Sequence, residues 1–443
     1  MRQTPKLVTR FPFYYGWVVA AAVALSMTAS SSTAAPVFSV FIQPWSDEFG
    51  WSRTAISGVF SFATVMAGVV GPLVGRGLDR YGGRVILGVG ALLIAGSLIS
   101  VSYASNLVFL YAAFSVGRVA MMNIQNLAAH TVIANWFIQR RAFATAVVIN
   151  GNRLGLAFWP VIAGAVVLAS GWRSAFLVLG LSVAALSLAP FIFVVARRPD
   201  EIGLFPDGKP PTPRVPGEAP RVGDHSWTAR EAVGTRAFWL LMAAHTGMMI
   251  AGGGSGVHRV PFFVGQGLDG SLVGPMLFVQ AIGMMTGGFL AAALMRRFPE
   301  RRVIGTFMLG TTAMMLLILR VPPNGMVVPY GFAEGMFSGG AFAMLPVIYA
   351  DYFGRQSIGA IRGITHPVVM VANAAGPLLA GVIFDLRGDY SLAFQIFGAV
   401  TLIGATLVWF AKPPRVPPDT GGGVDSLVEA GDTGAEGWAT DTR

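Results

Sequence analysis

Long apolar runs, each broken by a short polar loop, alternate along almost the whole chain. They fall at 15–42, 52–75, 84–103, 106–132, 142–169, 174–196, 237–263, 271–294, 303–320, 326–350, 360–384 and 391–411. Each is near or above the length of about 20 residues that carries a helix across a bilayer. None has the polar–apolar alternation, over about ten residues, of a barrel strand. The pattern therefore predicts an all-α membrane protein with twelve transmembrane helices. The first run is long and leads straight into further spans, so no cleavable leader is expected.

The polar stretches organise the spans. The longest interior one, 197–236, contains Pro206, Pro210, Pro211, Pro213, Pro216 and Pro220 and divides the spans six and six. It predicts a cytoplasmic linker, with a short surface helix near 227–232. The tail after Pro413 is rich in Gly, Asp and Pro, lacks apolar periodicity and predicts disorder. The expected domains are thus an N-terminal six-helix bundle (1–196), the linker (197–236), a C-terminal six-helix bundle (237–412) and a disordered cytoplasmic tail (413–443). The halves echo each other. Pro160, Ala163 and Gly164 precede Gly171 and Phe176, while Pro377, Ala380 and Gly381 precede Gly388 and Phe394, at matching offsets to within a residue. Such repeats, with a site at their interface, are common in secondary transporters.

Composition agrees. The chain is 54% hydrophobic and 12% charged, against about 25% charged in ordinary soluble domains. It has no cysteine, so neither disulfide nor thiol chemistry is available. The net charge of +10 is not a nucleic-acid footprint, because the basic residues sort by side of the membrane. Arg2, Lys6, Arg10, Arg76, Arg80, Arg84, Arg140, Arg141, Arg197, Arg198, Arg296, Arg297, Arg301, Arg302, Arg355, Arg362, Lys412 and Arg415 lie at one set of loops and ends. The opposite set holds only Arg53, Arg173, Arg259, Arg320 and Arg387. By the positive-inside rule both termini are cytoplasmic, in a multi-pass protein of the cell membrane. Few histidines and no cysteine accompany the methionines, so no metal path and no cofactor is expected. No P-loop points to direct ATP drive, and no nucleophile–base pair points to an enzyme.

Between the second and third spans lies Gly75-Arg-Gly-Leu-Asp79-Arg80-Tyr-Gly82-Gly83-Arg84. This resembles the Gly-x-x-x-Asp-Arg-x-Gly signature of the major facilitator superfamily in position, side and spacing. The resemblance implies two pseudo-symmetric six-helix bundles around a midplane site, with Asp79, Arg80 and Arg84 forming a conformational latch. The equivalent second-half loop, 296–302, lacks the acid–glycine pattern. Further matches are Glu48-Phe-Gly-Trp51-Ser52-Arg53, Trp136-Phe137 before Arg140-Arg141, the 197–208 run that opens the linker, and Val257-His258-Arg-Val-Pro261. In order, they resemble the monocarboxylate transporter and oxalate/formate antiporter branch, from about residue 14 to 411. One departure stands out. Members of that branch often carry a substrate-binding arginine in the eighth span, and here that span is uncharged from Gln280 to Leu294.

Arg118 and Arg153 are the candidates to replace it. Each lies roughly 17 Å into its span at 1.5 Å per residue, near the midplane of a bilayer core about 30 Å thick. A cation there is costly unless paired or solvated, and it naturally holds an anion. Tyr111, Phe114, Ser115, Arg118, Met122 and Gln125 share one face of the fourth span, and Asn150, Arg153 and Ala157 share one of the fifth. The resemblance implies that the fourth span lines the central cavity and that the fifth meets the opposite half. The expected substrate contacts are Arg118, Arg153, Gln125, Asn150 and Tyr111; the alternative for the arginines is bonding to protein acceptors.

Glu334 is the one acid well inside a span, and His245 titrates in a useful range, so these two are the proton-coupling candidates. Glu334 is alternatively a fixed counter-ion. His366 ranks lower, and His258 is expected to be a gating or structural residue. Gly252, Gly253 and Gly254 interrupt the seventh span and predict a hinge or unwound turn, or else close helix packing. Together these features predict a secondary active transporter of a small organic anion such as a monocarboxylate, working by alternating access with a proton as candidate coupling ion. An exporter of amphipathic compounds and a non-transporting membrane receptor are the rival readings.

Overall fold

The computed structural model describes residues 13–81, 83–125, 129, 132–133, 135–137, 140–188, 199, 204–205, 207, 227–353 and 358–414, with backbone alone at 72, 75–81, 83–84, 141–142, 350, 358–360 and 362. Among these residues the regular structure is helical throughout. The first half comprises α1 (Gly16–Ser30), α2 (Ala35–Phe49), α3 (Arg53–Tyr81), α4 (Gly83–Ser102), α5 (Leu107–Val119) and the long α6 (Arg141–Val183). After a short α7 (Ala229–Val233) the second half runs through α8 (Arg236–Gly265), α9 (Val273–Leu294), α10 (Glu300–Leu317), α11 (Val327–Phe353), α12 (Ile358–Arg387) and α13 (Ser391–Phe410). Ten stretches of the described residues are long and apolar enough to cross a membrane. One of them, Phe143–Leu188, turns at Gly171, and α8 is too polar to count on composition. With that turn and α8 included, the helices accommodate the twelve expected spans.

The sequence repeat has a backbone counterpart. Gly171 and Gly388 end the fifth and eleventh spans with φ of 80° and 78°. This left-handed conformation costs glycine little and any other residue more, which is why a glycine stands at the same point of both halves. The short α7 lies where the linker helix was expected. Thr228 and Glu231 close it with a reciprocal capping box.

The first span is broken. Ser31–Thr33 form a single 3₁₀ turn, Ala34 is extended, and α2 begins with Pro36 near its start. Serine and threonine hydroxyls turn back on their own helix here: Ser30 donates to the Met27 carbonyl and Ser31 to that of Thr28. Thr28 also donates to the Gly151 carbonyl at 2.8 Å, joining the first span to α6.

Two expectations about the helices are corrected. The glycines at 252–254 do not interrupt α8, which is helical from Arg236 to Gly265. Each lies where a neighbour presses in: the Phe342 ring at Gly252, the Asn373 carbonyl at Gly253 and the Phe397 ring at Gly254. Close packing, not unwinding, accounts for them in this conformation. Arg259, grouped by sequence with the loop cations, is instead 3% exposed inside the α8 bundle.

The two halves meet along three helix pairs: α3 with α12, α2 with α8, and α6 with α9. The contact is tight at the end of the molecule carrying Gly50 and Gly388, here called the distal end. There the Asp385 carboxylate of α12 accepts from the backbone N–H groups of Arg53 (3.0 Å) and Thr54 (2.9 Å) at the start of α3. Arg53 also hydrogen-bonds Gln43, and its guanidinium faces the Phe384 ring at 5.5 Å. Deeper in, Ser61 donates to the Ala374 carbonyl at 2.6 Å. Toward the proximal end, where α1 begins, a cavity lies between the halves.

Candidate functional site

Arg118 does not stand free. The 3₁₀ break and Pro36 leave the Thr33 carbonyl without a helical partner, and Arg118 Nη1 donates to it at 3.0 Å. Its Nε donates to the Thr64 hydroxyl at 3.2 Å, and its guanidinium carbon lies 3.8 Å from the centre of the Phe60 ring. The residue is 5% exposed. These partners belong to α3 and the first span, so Arg118 knits three elements of one half together.

Its expected neighbours are similarly engaged. Gln125 is fully buried, accepts from Ser26 and donates to the Leu87 carbonyl. Tyr111 donates to the Ala55 carbonyl at 3.0 Å. The Arg118 face of the fourth span is therefore largely satisfied by protein.

Arg153 is placed differently. It is half-buried on α6, opposite the second half. A Cβ placed on Gly288 of α9 would lie 3.4 Å from its Nη1, 3.6 Å from its Nη2 and 3.6 Å from Ala343 of α11. The guanidinium thus reaches the eighth span at a position that has no side chain of its own. Among the described residues no carboxylate is at ion-pair distance from Arg153 or Arg118. Asn150, one turn away, is half-buried on α6.

The acid Glu334 has two fixed partners. Arg259 Nη2 lies 2.8 Å from one of its oxygens, and Gln280 donates to the other at 2.7 Å. The Arg259 and Glu334 side chains are 4% and 2% exposed. This buried pair ties α8, α9 and α11 together within the second half. Glu334 is thus a fixed counter-ion, and its partner is Arg259.

The cavity between the halves has a volume of about 380 Å³. Ile149 of α6, Pro346 of α11 and Val369 of α12 form its apolar walls. His245 of α8, Tyr349 of α11, and Thr365 and His366 of α12 form its polar ones. His258 is elsewhere, fully buried at the distal contact. Its Nε2 lies 2.9 Å from both the Ser57 hydroxyl of the first half and the Pro377 carbonyl of the second. The side chains of the latch candidates Asp79, Arg80 and Arg84 lie outside the described residues.

The fold and the paired halves agree with comparisons to known proteins. The family model described as Major Facilitator Superfamily matches residues 17–277 and 260–436. The chain belongs to that superfamily and is a multi-pass membrane transporter, not an enzyme. It is 24% identical over 388 residues to the uncharacterized MFS-type transporter YcxA of Bacillus subtilis (strain 168), covering 84% of this chain and 88% of that protein. It is 22% identical over 423 residues to monocarboxylate transporter 12-B of Danio rerio, covering 90% and 87%. Human monocarboxylate transporter 6 is 30% identical over 219 residues, 48% of this chain and 42% of that protein. Among solved structures, a bacterial homolog of the human lysosomal transporter Spinster, inward-facing and unoccupied, superposes with a TM-score of 0.68 at 17% identity, covering 90% of this chain and 97% of that one. At that identity the likeness speaks for the fold alone.

Proposed function

We propose that this transporter carries a small organic anion by alternating access, with Arg153 as the principal cationic contact. The observation that carries the reading is the Arg153 guanidinium lying against Gly288 with no carboxylate beside it among the described residues. A half-buried cation at the junction of two halves is costly unless an anion or water completes it. Relatives that bear the name monocarboxylate transporter support the substrate class. By the positive-inside rule the distal end faces outward and the cavity faces the cytoplasm. On that assignment the conformation is inward-facing, with the Asp385 and His258 contacts closing the outer side. Of the two proton-coupling candidates, Glu334 is held by Arg259, whereas His245 lines the cavity; we assign coupling to His245.

The test is a thermal-shift screen of purified protein against mono- and dicarboxylates, followed by counterflow in proteoliposomes with and without an imposed pH gradient. Some acid is expected to stabilise the wild type and to exchange, and Arg153→Leu is expected to lose both responses. Stabilisation undiminished in Arg153→Leu would remove Arg153 from the site.

A further inference from the structure

A separate groove lies on the outer flank of the second half, at the proximal end, with a volume of about 520 Å³. Phe298 of the turn after α9, Val303 and Phe307 of α10, and Trp409 of α13 give it an apolar lining. Arg302 and Thr306 of α10 supply its polar side. The Trp409 ring lies against α10 because Gly305 has no side chain: a Cβ there would sit 2.9 Å from its Cε3. The flank is exposed although it is apolar. Phe298, Leu309, Trp409 and Phe410 are all open to the surroundings, and Arg302, Thr306 and Leu309 follow one face of α10 at helical spacing. In a membrane protein such a face meets acyl chains, which are as apolar as leucine.

The charge at the groove is one-sided. Arg302 is the one charged residue in its lining and, among the described residues, pairs with no carboxylate. Arg296, Arg297 and Arg301 stand within six residues of it, also without an ion pair. Glu300 is two residues away, hence about 200° round the helix. Its charge acts on Tyr352 of α11 instead. The Thr306 hydroxyl donates to the Arg302 carbonyl at 2.8 Å, so toward the groove it offers an acceptor only. No side chain caps the start of α10, which leaves the positive end of that helix beside Arg302.

These features select the occupant. The cations call for an anion. At about 30 Å³ per water-sized group the groove has room for roughly seventeen, far more than a phosphate alone fills. A zwitterionic lipid would bring its own cation toward the arginines. A second copy of this chain, docked symmetrically, would set one arginine cluster against another.

We propose that the groove binds one anionic phospholipid. Its phosphate rests on Arg302 at the start of α10, and an acyl chain runs past Thr306 along Phe307 and Trp409. On the charge-based orientation this end lies in the cytoplasmic leaflet, whose surface is negative. The site is independent of the anion cargo, since neither Arg153 nor the inter-half cavity enters it.

The test uses the absence of native cysteine. A fluorophore is attached to full-length protein at Leu309→Cys, about one turn beyond Thr306 on the same face. The protein is reconstituted into phosphatidylcholine bilayers containing brominated phosphatidylglycerol or brominated phosphatidylcholine, and quenching reads which lipid adjoins the groove. Phosphatidylglycerol is expected to be favoured about fivefold, the effect of one basic side chain at an anionic surface. Arg302→Gln should bring the ratio to about one, and Arg302→Glu below it. Quenching by phosphatidylcholine should stay unchanged in both variants, because Arg302 is exposed and its replacement leaves the core intact. A wild-type ratio near one, or a preference that survives both substitutions, would overturn the inference. Soluble glycerol phosphate in excess, at matched ionic strength, should leave the ratio as it is. Loss of the preference in its presence would make this a site for a free anion and overturn the lipid assignment. A label shielded from both lipids would mean that protein covers the flank, either a second copy or the chain's own tail after residue 414, and the inference would likewise fall.

Discussion

Arg118 and Arg153 look equivalent in sequence, two arginines at similar depth in neighbouring spans. They differ because of what the adjacent helix does. The break at Ser31–Thr33 frees one carbonyl, and Arg118 satisfies it. Arg118→Leu is therefore expected to lower the ligand-free stability of the protein by about 1–3 kcal/mol, the cost of an unsatisfied buried acceptor, measured as a drop in melting temperature. A variant as stable as wild type that loses only its ligand response would instead make Arg118 a substrate group. The Arg259–Glu334 pair makes the opposite kind of claim. Glu334→Gln strands a buried guanidinium, and breaking such a pair typically costs about 3–5 kcal/mol. The double replacement Arg259→Met with Glu334→Met should recover most of that loss in the same melting assay, because it removes both desolvated charges. Sequence made Glu334 conspicuous, but its partner was hidden. Arg259 lies near the end of an apolar run, where side alone suggested a loop cation.

At the scale of elements, α12 closes on α3 through a carboxylate at a helix start. Asp385 accepts from the first two backbone N–H groups of α3, and its charge opposes the positive end of that helix dipole. The contact spans the two halves, so it weights the closed distal end without any side-chain cation. Asp385→Ala is expected to shift the population toward distal opening. Spin labels at Asp47→Cys and Arg387→Cys, in a chain with no native cysteine, should report a longer or broader distance than in the parent. An unchanged distribution would mean that His258, Ser61 and the surrounding packing hold this end alone. The glycines of α9 and α11 work by another route. Gly283, Gly287, Gly335 and Gly339 let the two backbones come so close that any Cβ would collide with the facing chain. Small residues every four positions were visible in the sequence, but which helix they faced was not.

For the whole molecule, the proposed orientation rests on the charge asymmetry. An impermeant thiol reagent is expected to label Asp47→Cys from outside intact cells and Pro414→Cys only after permeabilisation. The reverse result would invert the assignment of the cavity to the cytoplasmic side. The sequence by itself determined the helical class, the superfamily and the paired glycine corners, because each depends on local pattern: run length, breaker residues and backbone conformations open chiefly to glycine. It also put Arg118, Arg153, Glu334, His245 and His366 in view, whereas Tyr349, Thr365 and Gly288 entered only with the fold, and Arg259 stood among the loop cations. Only the tertiary structure decided which buried charge was already satisfied, which faced the other half, and that the α8 glycines serve packing. Those outcomes depend on partners far apart in the chain, such as Thr33 with Arg118 and Arg153 with Gly288. A polar group's role inside a membrane is set by whichever acceptor reaches it first, and a linear sequence does not order those distances.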